Sequence, residues 1–271
     1  MGDAEAAQGL LTRHLRVGYG ARTVLHDVSV AFPTGSLTAV VGPNGCGKST
    51  LLRAISSLLP IEAGSVQLDG ADLGRLRHKE RARRIGFLPQ ESIAPEGITV
   101  RRLVARGRFP HQGLLSAWSI EDAAAVDRAM QDARVTDIAD DPVASLSGGQ
   151  RQRVWIAMAL AQDTPHLLLD EPTTFLDVAH QYELLRLLRR LVADGRTVVA
   201  ILHDLNQAAR FADHLVVMRT GTIVSEGAPA EVLTPELMAE VFDLPSIVVP
   251  DPVTGRPMIV PEAFDAEVEV S

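Results

Sequence analysis

Nine residues do most to limit what this chain can become: GPNGCGKST at positions 42–50. They satisfy the spacing GxxxxGK[ST], in which a glycine-rich turn between a strand and a helix aims backbone N–H groups at phosphate oxygens. The flanks supply that context. SLTAVV, residues 36–41, is an apolar run suited to a central strand buried on both faces. STLLRAISSLL, residues 49–59, spaces its apolar residues at helical intervals and is expected to stay helical until just before Pro60. Gly45 and Gly47 lack a Cβ, which lets the loop curl. Lys48 brings a point charge to the β- and γ-phosphates, Ser49 offers a hydroxyl to Mg²⁺, and the helix that follows adds its positive end. Gly42, Pro43, Asn44 and Thr50 complete the cradle, together with Cys46, a small loop residue with no chemistry of its own.

A second element stands downstream. HLLLDEP, from residue 166, puts Asp170 at the carboxyl end of a buried strand, where α/β sheets place their ligand crevices. A buried acid there is costly unless it holds a cation, directly or through water, so Asp170 joins Ser49 as a candidate Mg²⁺ ligand. Glu171 is placed to deprotonate an attacking water. An amphipathic pattern near 179–193 and the apolar TVVAIL at 197–202 continue the alternation of helix and strand, and so predict a parallel sheet in an α/β fold.

Residues 91–162 have a different, helical character. Ser119 and Asp122 form a capping-box pattern, and Val126, Ala129, Met130 and Ala133 line one face of the helix that follows. The charge run RLRHKERARR at 75–84 reads as a solvated helix face. Thr234, Pro235 and Glu236 mark a helix start that should run to about Phe242. The tail SIVVPDPVTGRPMIVP predicts a small hairpin. His26, His78, His111 and His180 are scattered and receive no catalytic role.

Composition narrows the function classes. With 271 residues, 46% of them hydrophobic, the chain can bury a proper core. A formal net charge of -8 argues against general affinity for nucleic acid, which needs a basic face. Cys46 is the single cysteine, so an intrachain disulfide and a cysteine zinc cage are both ruled out and a reducing compartment is expected. The longest unbroken apolar run, VWIAMALA at 154–161, is far short of the ~18 to 20 residues that span a bilayer, so any membrane role is expected to be peripheral. The N-terminal MGDAEAAQGL reads as neither a signal peptide nor, with Ala6 in place of Ser or Thr, a myristoylation site.

LSGGQ at 146–150 opens a second helix, and Ser147, Gly148 and Gly149 make a second anion-receptive N-terminus. With GPNGCGKST, LSGGQ and LLLDEP in that order, the chain resembles the nucleotide-binding domains of ABC ATPases over roughly residues 11–230. The resemblance implies a P-loop NTPase (RecA-like) core with an N-terminal antiparallel β subdomain, an α-helical subdomain inserted at about 91–162, and an extension over 231–271. It implies ATP and Mg²⁺ as ligands and a head-to-tail dimer, in which Ser147, Gly148, Gly149 and Gln150 of one copy cover the ATP held by the other. By position, Gln90 resembles the loop glutamine that touches Mg²⁺ and water, and His203 resembles the histidine that contacts the γ-phosphate. Asp177 resembles the dimer-contacting aspartate, and Tyr19 the aromatic ring that stacks on adenine. The segment after Gln90 is where the family passes motion to its permease.

DEPTTFLDVAHQ at 170–181, GRFPHQG at 107–113 and the tail after Thr234 resemble one branch, the ATPases of ferric-siderophore importers, with cobalamin and haem importers as near relatives. That branch implies integral-membrane permease subunits, an extracytoplasmic substrate-binding protein, no nucleic acid, and a place on the cytoplasmic side of the membrane. A soluble, non-transport ABC ATPase is the alternative. One compact cassette without long coiled coils or zinc modules speaks against it.

Overall fold

Ahead of the phosphate loop the chain forms two long strands. In the computed structural model, which describes residues 9–90, 93–113 and 118–262, β1 (Leu10–Tyr19) and β2 (Arg22–Phe32) pair antiparallel. Register shifts along β1 keep Leu15, Val17, Leu25 and Val28 fully buried although the strands are long. β3 (Leu37–Val41) follows with all five residues buried, and α1 (Lys48–Ile55) begins inside the phosphate loop. This helix ends short of the expected limit before Pro60. Ser57 turns into the left-handed region at φ 58, its N–H donates to Ala54 O at 3.0 Å, and Leu58 is left 60% exposed. Apolar spacing alone does not reveal a stop at a pair of serines.

β4 (Ala63–Leu68) and β5 (Ala71–Asp72) complete a four-stranded antiparallel sheet in the order β2-β1-β4-β5. The basic run becomes α2 (His78–Arg84), which buries no residue, as a solvated face should. After β6 (Ile85–Leu88) come α3 (Val100–Ala105), α4 (Ile120–Asp132) and α5 (Gly148–Ala161), packed against one another. The capping box of α4 is present, with Asp122 N–H donating to Ser119 Oγ at 3.1 Å, and Val126, Ala129, Met130 and Ala133 are buried. Asp122 also receives Arg108 Nε at 2.8 Å, while Arg108 Nη1 donates to Ala161 O at 3.0 Å. This buried pair ties the GRFPHQG segment to α4 and α5, and the Arg108 guanidinium holds the Asp122 carboxyl below its ordinary range.

The alternation resumes with β7 (His166–Leu169), α6 (Val178–Ala193), β8 (Thr197–Ile201), α7 (Leu205–Phe211), β9 (His214–Arg219) and β10 (Thr222–Gly227). The central sheet has the order β10-β9-β3-β8-β7-β6, parallel throughout except for β10 at its edge. β3 lies inside it, which accounts for the burial of all five of its residues, Thr38 included. Leu37, Ala39 and Val41 face a core shared with α5 and α6, and Val40 faces a second core shared with α1 and the antiparallel sheet. Then follow α8 (Pro229–Val232), α9 (Pro235–Phe242, capped by Thr234 Oγ1), and the hairpin β11 (Ser246–Pro250) and β12 (Pro257–Pro261). Among the described residues no helix is long and apolar enough to cross a membrane. The N-terminal stretch read for a leader lies, in its first eight residues, outside the described residues, as do Glu91 and Ser92 just after Gln90.

His166, at the start of β7, is 5% exposed. Burial pushes its imidazole below the ordinary value, against the opposing pull of Asp69 and of the Arg84 backbone. The unfolded chain therefore binds the proton first as pH falls through ~6.5, and the native state loses stability from there down to the lowered native value. Urea midpoints measured from pH 7.5 downward should fall through this window, and His166→Leu should flatten the acid limb. Identical slopes for the two proteins would contradict the assignment.

Candidate nucleotide site

The phosphate loop leaves β3 at Gly42, whose φ of 150 and surroundings admit no side chain: an added Cβ would lie 2.1 Å from Met218 O on β9. Gly47 caps α1 at φ 107, and a Cβ there would meet Leu25 at 2.8 Å. The loop is thus clamped between β9 and β2. The β9–β10 turn adds to the clamp, since Gly221 N–H donates to Cys46 O and His26 N–H donates to Gly221 O, each at 2.9 Å. Motif spacing singles out Gly42 but not its steric clamp at β9, nor the β9–β10 turn. Met218 lies 176 positions from Gly42, so local sequence carries no sign of the contact.

The loop opens onto a cleft of about 450 Å³ lined by Val24, Asn44, Gly45, Gly47, Lys48, Ser49, Thr50, Gln90, Glu171 and His203. Lys48 is buried, and its Nζ donates to Gly42 O at 2.8 Å and Pro43 O at 2.9 Å. An ammonium has no acceptor capacity, so it rests on loop carbonyls and still faces the cleft. Burial raises the neighbouring Cys46 thiol above its ordinary value despite Lys48, which keeps it protonated and inert. Tyr19, at the exposed end of β1, is not among the residues lining the cleft; Val24 of β2 is.

Ser49 Oγ donates to Asp170 Oδ1 at 2.8 Å. Asp170 follows β7, is fully buried, and its Oδ2 has no hydrogen-bond partner among the described residues. Burial pushes its carboxyl above the ordinary range, against the pull of Ser49 and Arg53. A buried carboxylate with one orphan oxygen beside a hydroxyl at a phosphate cradle suits Mg²⁺, which commonly takes one or two protein ligands and completes its shell with phosphate and water. Ser49 lines the cleft and Asp170 does not.

Glu171 stands next along the chain, at φ 53 in the left-handed region. Its Oε2 accepts from Gln90 Nε2 at 2.7 Å, and its Oε1 lies 2.8 Å from His203 Nε2. Gln90 follows β6, Glu171 follows β7 and His203 follows β8: three adjacent strand ends deliver three side chains to one point. The parallel register that pairs Leu88 with Leu169 and Leu169 with Ala200 fixes their alignment.

LSGGQ lies elsewhere. Ser147 caps α5 in a capping box with Gln150, Oγ accepting from Gln150 N–H at 3.2 Å, while Ser147 and Gly148 are exposed and Gly149 and Gln150 half-buried. None of the four lines the phosphate cleft of its own chain. Asp177 caps α6 and accepts from His180 N–H at 2.9 Å.

The family model described as ABC transporter matches residues 25–174. The ferric enterobactin transport ATP-binding protein FepC of Escherichia coli (strain K12) is 51% identical over 95% of each chain. Among solved structures, an inward-facing metal-chelate type ABC transporter superposes with a TM-score of 0.80 at 29% identity, covering 94% of this chain and 98% of that one. A dimeric bacterial ABC transporter cassette superposes at 0.73 with 30% identity, covering 81% and 98%. The chain belongs to the ABC transporter family. Within it, this is an ATP-binding, ATP-hydrolysing cassette of the importer kind.

Proposed function

We propose that this chain powers an importer of iron(III)–siderophore complexes, working as a head-to-tail dimer on the cytoplasmic side of the membrane. Its partners there are integral-membrane permease subunits and, through them, an extracytoplasmic substrate-binding protein. The reading is supported by its likeness to a ferric enterobactin transport protein. The observation that carries the chemistry is the convergence of Gln90 and His203 on the Glu171 carboxylate beside Lys48 and Ser49.

Hydrolysis asks mainly for positioning and charge neutralisation. Loop N–H groups and Lys48 hold the β- and γ-phosphates, and the exchange of Gly42 and Pro43 carbonyls for phosphate oxygens satisfies the ammonium better than dipoles do. Ser49, and Asp170 directly or through water, would hold Mg²⁺ with Gln90 nearby, and the ion would supply further positive charge. ATP draws His203 towards the γ-phosphate and frees Glu171 Oε1. Glu171 then takes a proton from the water that attacks the γ-phosphorus as the bond to the bridging oxygen breaks, leaving ADP and phosphate. Ser147, Gly148, Gly149 and Gln150 of the second copy cap the nucleotide, and Tyr19 stacks on adenine.

Lys48→Ala should weaken ATP binding in a direct titration and abolish iron–siderophore uptake in cells that carry only this variant. Unchanged affinity would contradict the phosphate role. Loss of haem or cobalamin uptake with iron–siderophore uptake intact would redirect the cargo to those near relatives.

A further inference from the structure

Glu171 sits in a backbone conformation that few residues other than glycine adopt, and four residues on Phe175 does the same at φ 66. Such conformations persist where the surroundings over-determine them. Among the groups that surround the loop are three glutamine side chains, none of which lines the nucleotide cleft. Gln152 on α5 donates from Nε2 to Pro172 O at 3.2 Å. Gln181 on α6 donates from Nε2 to Thr173 O at 3.3 Å and to Leu176 O at 3.1 Å. Gln207 on α7 donates from Nε2 to Gln181 Oε1 at 2.7 Å.

The direction of every bond in this chain is determined. Carbonyls accept only, so Gln152 and Gln181 must present their NH₂ groups to the loop, and Gln181 is left with its oxygen for Gln207. Gln207 is 4% and Gln152 8% exposed, so water does not substitute for the lost partner of either. The outer end of the chain is anchored next to His203: Asp204 caps α7 by accepting from Gln207 N–H at 2.9 Å. The hairpin holds α7 from behind, with Asn206 Nδ2 donating to Ile259 O at 3.1 Å and Oδ1 accepting from Ile259 N–H at 2.7 Å.

We propose that Gln152, Gln181 and Gln207 are positioning residues for ATP hydrolysis: they hold the loop from Glu171 to Asp177 at a fixed distance from the helix that follows His203 and from the helix that LSGGQ opens. The inference rests on Glu171 acting as the base. Each glutamine acts through the loop rather than on nucleotide, so its loss belongs in kcat and leaves ATP affinity alone. The relay also gives residues 246–261 a task, since the hairpin braces the helix to which the chain is tied.

The test is steady-state ATP hydrolysis by the full chain, with ATP binding titrated alongside, for Gln181→Met, Gln181→Glu, Gln207→Leu, the Gln181→Met/Gln207→Leu double variant and Glu171→Gln. A misplaced base should lower kcat by about 10- to 100-fold in each single variant with KM and ATP affinity near wild type. Gln181→Glu is the informative case: glutamate still accepts from Gln207 but has nothing to donate to the loop carbonyls, so it should be as slow as Gln181→Met. The double variant should be no slower than the worse single, because the two residues act in series. Near-normal kcat in Gln181→Glu and Gln207→Leu beside a slow Glu171→Gln overturns the relay alone. Normal turnover by Glu171→Gln overturns the base assignment on which it rests. Loss confined to ATP affinity or to the melting temperature reduces the glutamines to ordinary structural contacts.

Discussion

Glu171→Gln should bind ATP as tightly as the parent chain and turn it over roughly 10²- to 10⁴-fold more slowly, the range a positioned general base contributes. The substitution is close to isosteric, and its amide oxygen can still accept from Gln90 Nε2, which donates to Oε2 in the parent at 2.7 Å. What it removes is the ability to take a proton. Phosphate-binding residues are untouched: Lys48 and Ser49 open α1, whereas the carboxylate's two partners, Gln90 and His203, follow β6 and β8. Single-turnover hydrolysis and equilibrium ATP binding, measured on the same preparation, separate the two effects. Near-wild-type turnover would transfer the base role to another residue, with His203 the first candidate because it contacts the same carboxylate at 2.8 Å.

Ser147→Arg should leave ATP binding by the single chain intact and abolish hydrolysis that depends on a second copy. The local cost is modest. Losing the capping hydroxyl that accepts from Gln150 N–H costs about 1 kcal/mol. The site is exposed, so an arginine fits without disturbing the core. The cost to association is much larger. To move a pair of chains from mostly apart to mostly closed, ATP must favour the closed form by roughly 5.5 kcal/mol, which requires contacts that exist only there. In the proposed dimer a serine hydroxyl and the first amides of α5 would supply such contacts at a helix N-terminus. A long side chain in their place would fill the space that the proposed dimer gives to the γ-phosphate. Hydrolysis that stays proportional to protein concentration in both proteins would count against this account. A rate per chain that rises with concentration in the parent and not in the variant supports it.

The site was legible in the sequence to the extent that its chemistry resides in contiguous strings. GPNGCGKST, LSGGQ and LLLDEP declare a loop, a helix start and a strand end, because turn, cap and apolar run are local properties. Gln90 and His203 carry no such local signal. A glutamine after FLP and a histidine after AIL are ordinary strand ends, and only parallel pairing of β6, β7 and β8 brings them to Glu171. The steric reason for Gly42 was hidden likewise, since it lies in a carbonyl of β9. The glutamine relay was invisible for the same cause: its members occupy three helices separated in sequence.

The fold shows a similar division. The central strand, the capping box at Ser119, the cap at Thr234 and the terminal hairpin follow from patterns a few residues long. The early stop of α1 and the length of β1 and β2 do not. The first depends on a left-handed turn at Ser57 that apolar spacing does not mark, the second on the bulges that keep β1 in register with β2 and β4.

Light scattering tests the sharing of ATP between two copies most directly. The Glu171→Gln chain, mixed with ATP and Mg²⁺ and unable to clear its nucleotide, should run at twice the monomer mass, and the Glu171→Gln/Ser147→Arg chain should remain at the monomer mass while binding ATP equally well. A double variant that dimerises as readily as its parent would mean that the exposed tip of α5 does not close over a partner's nucleotide.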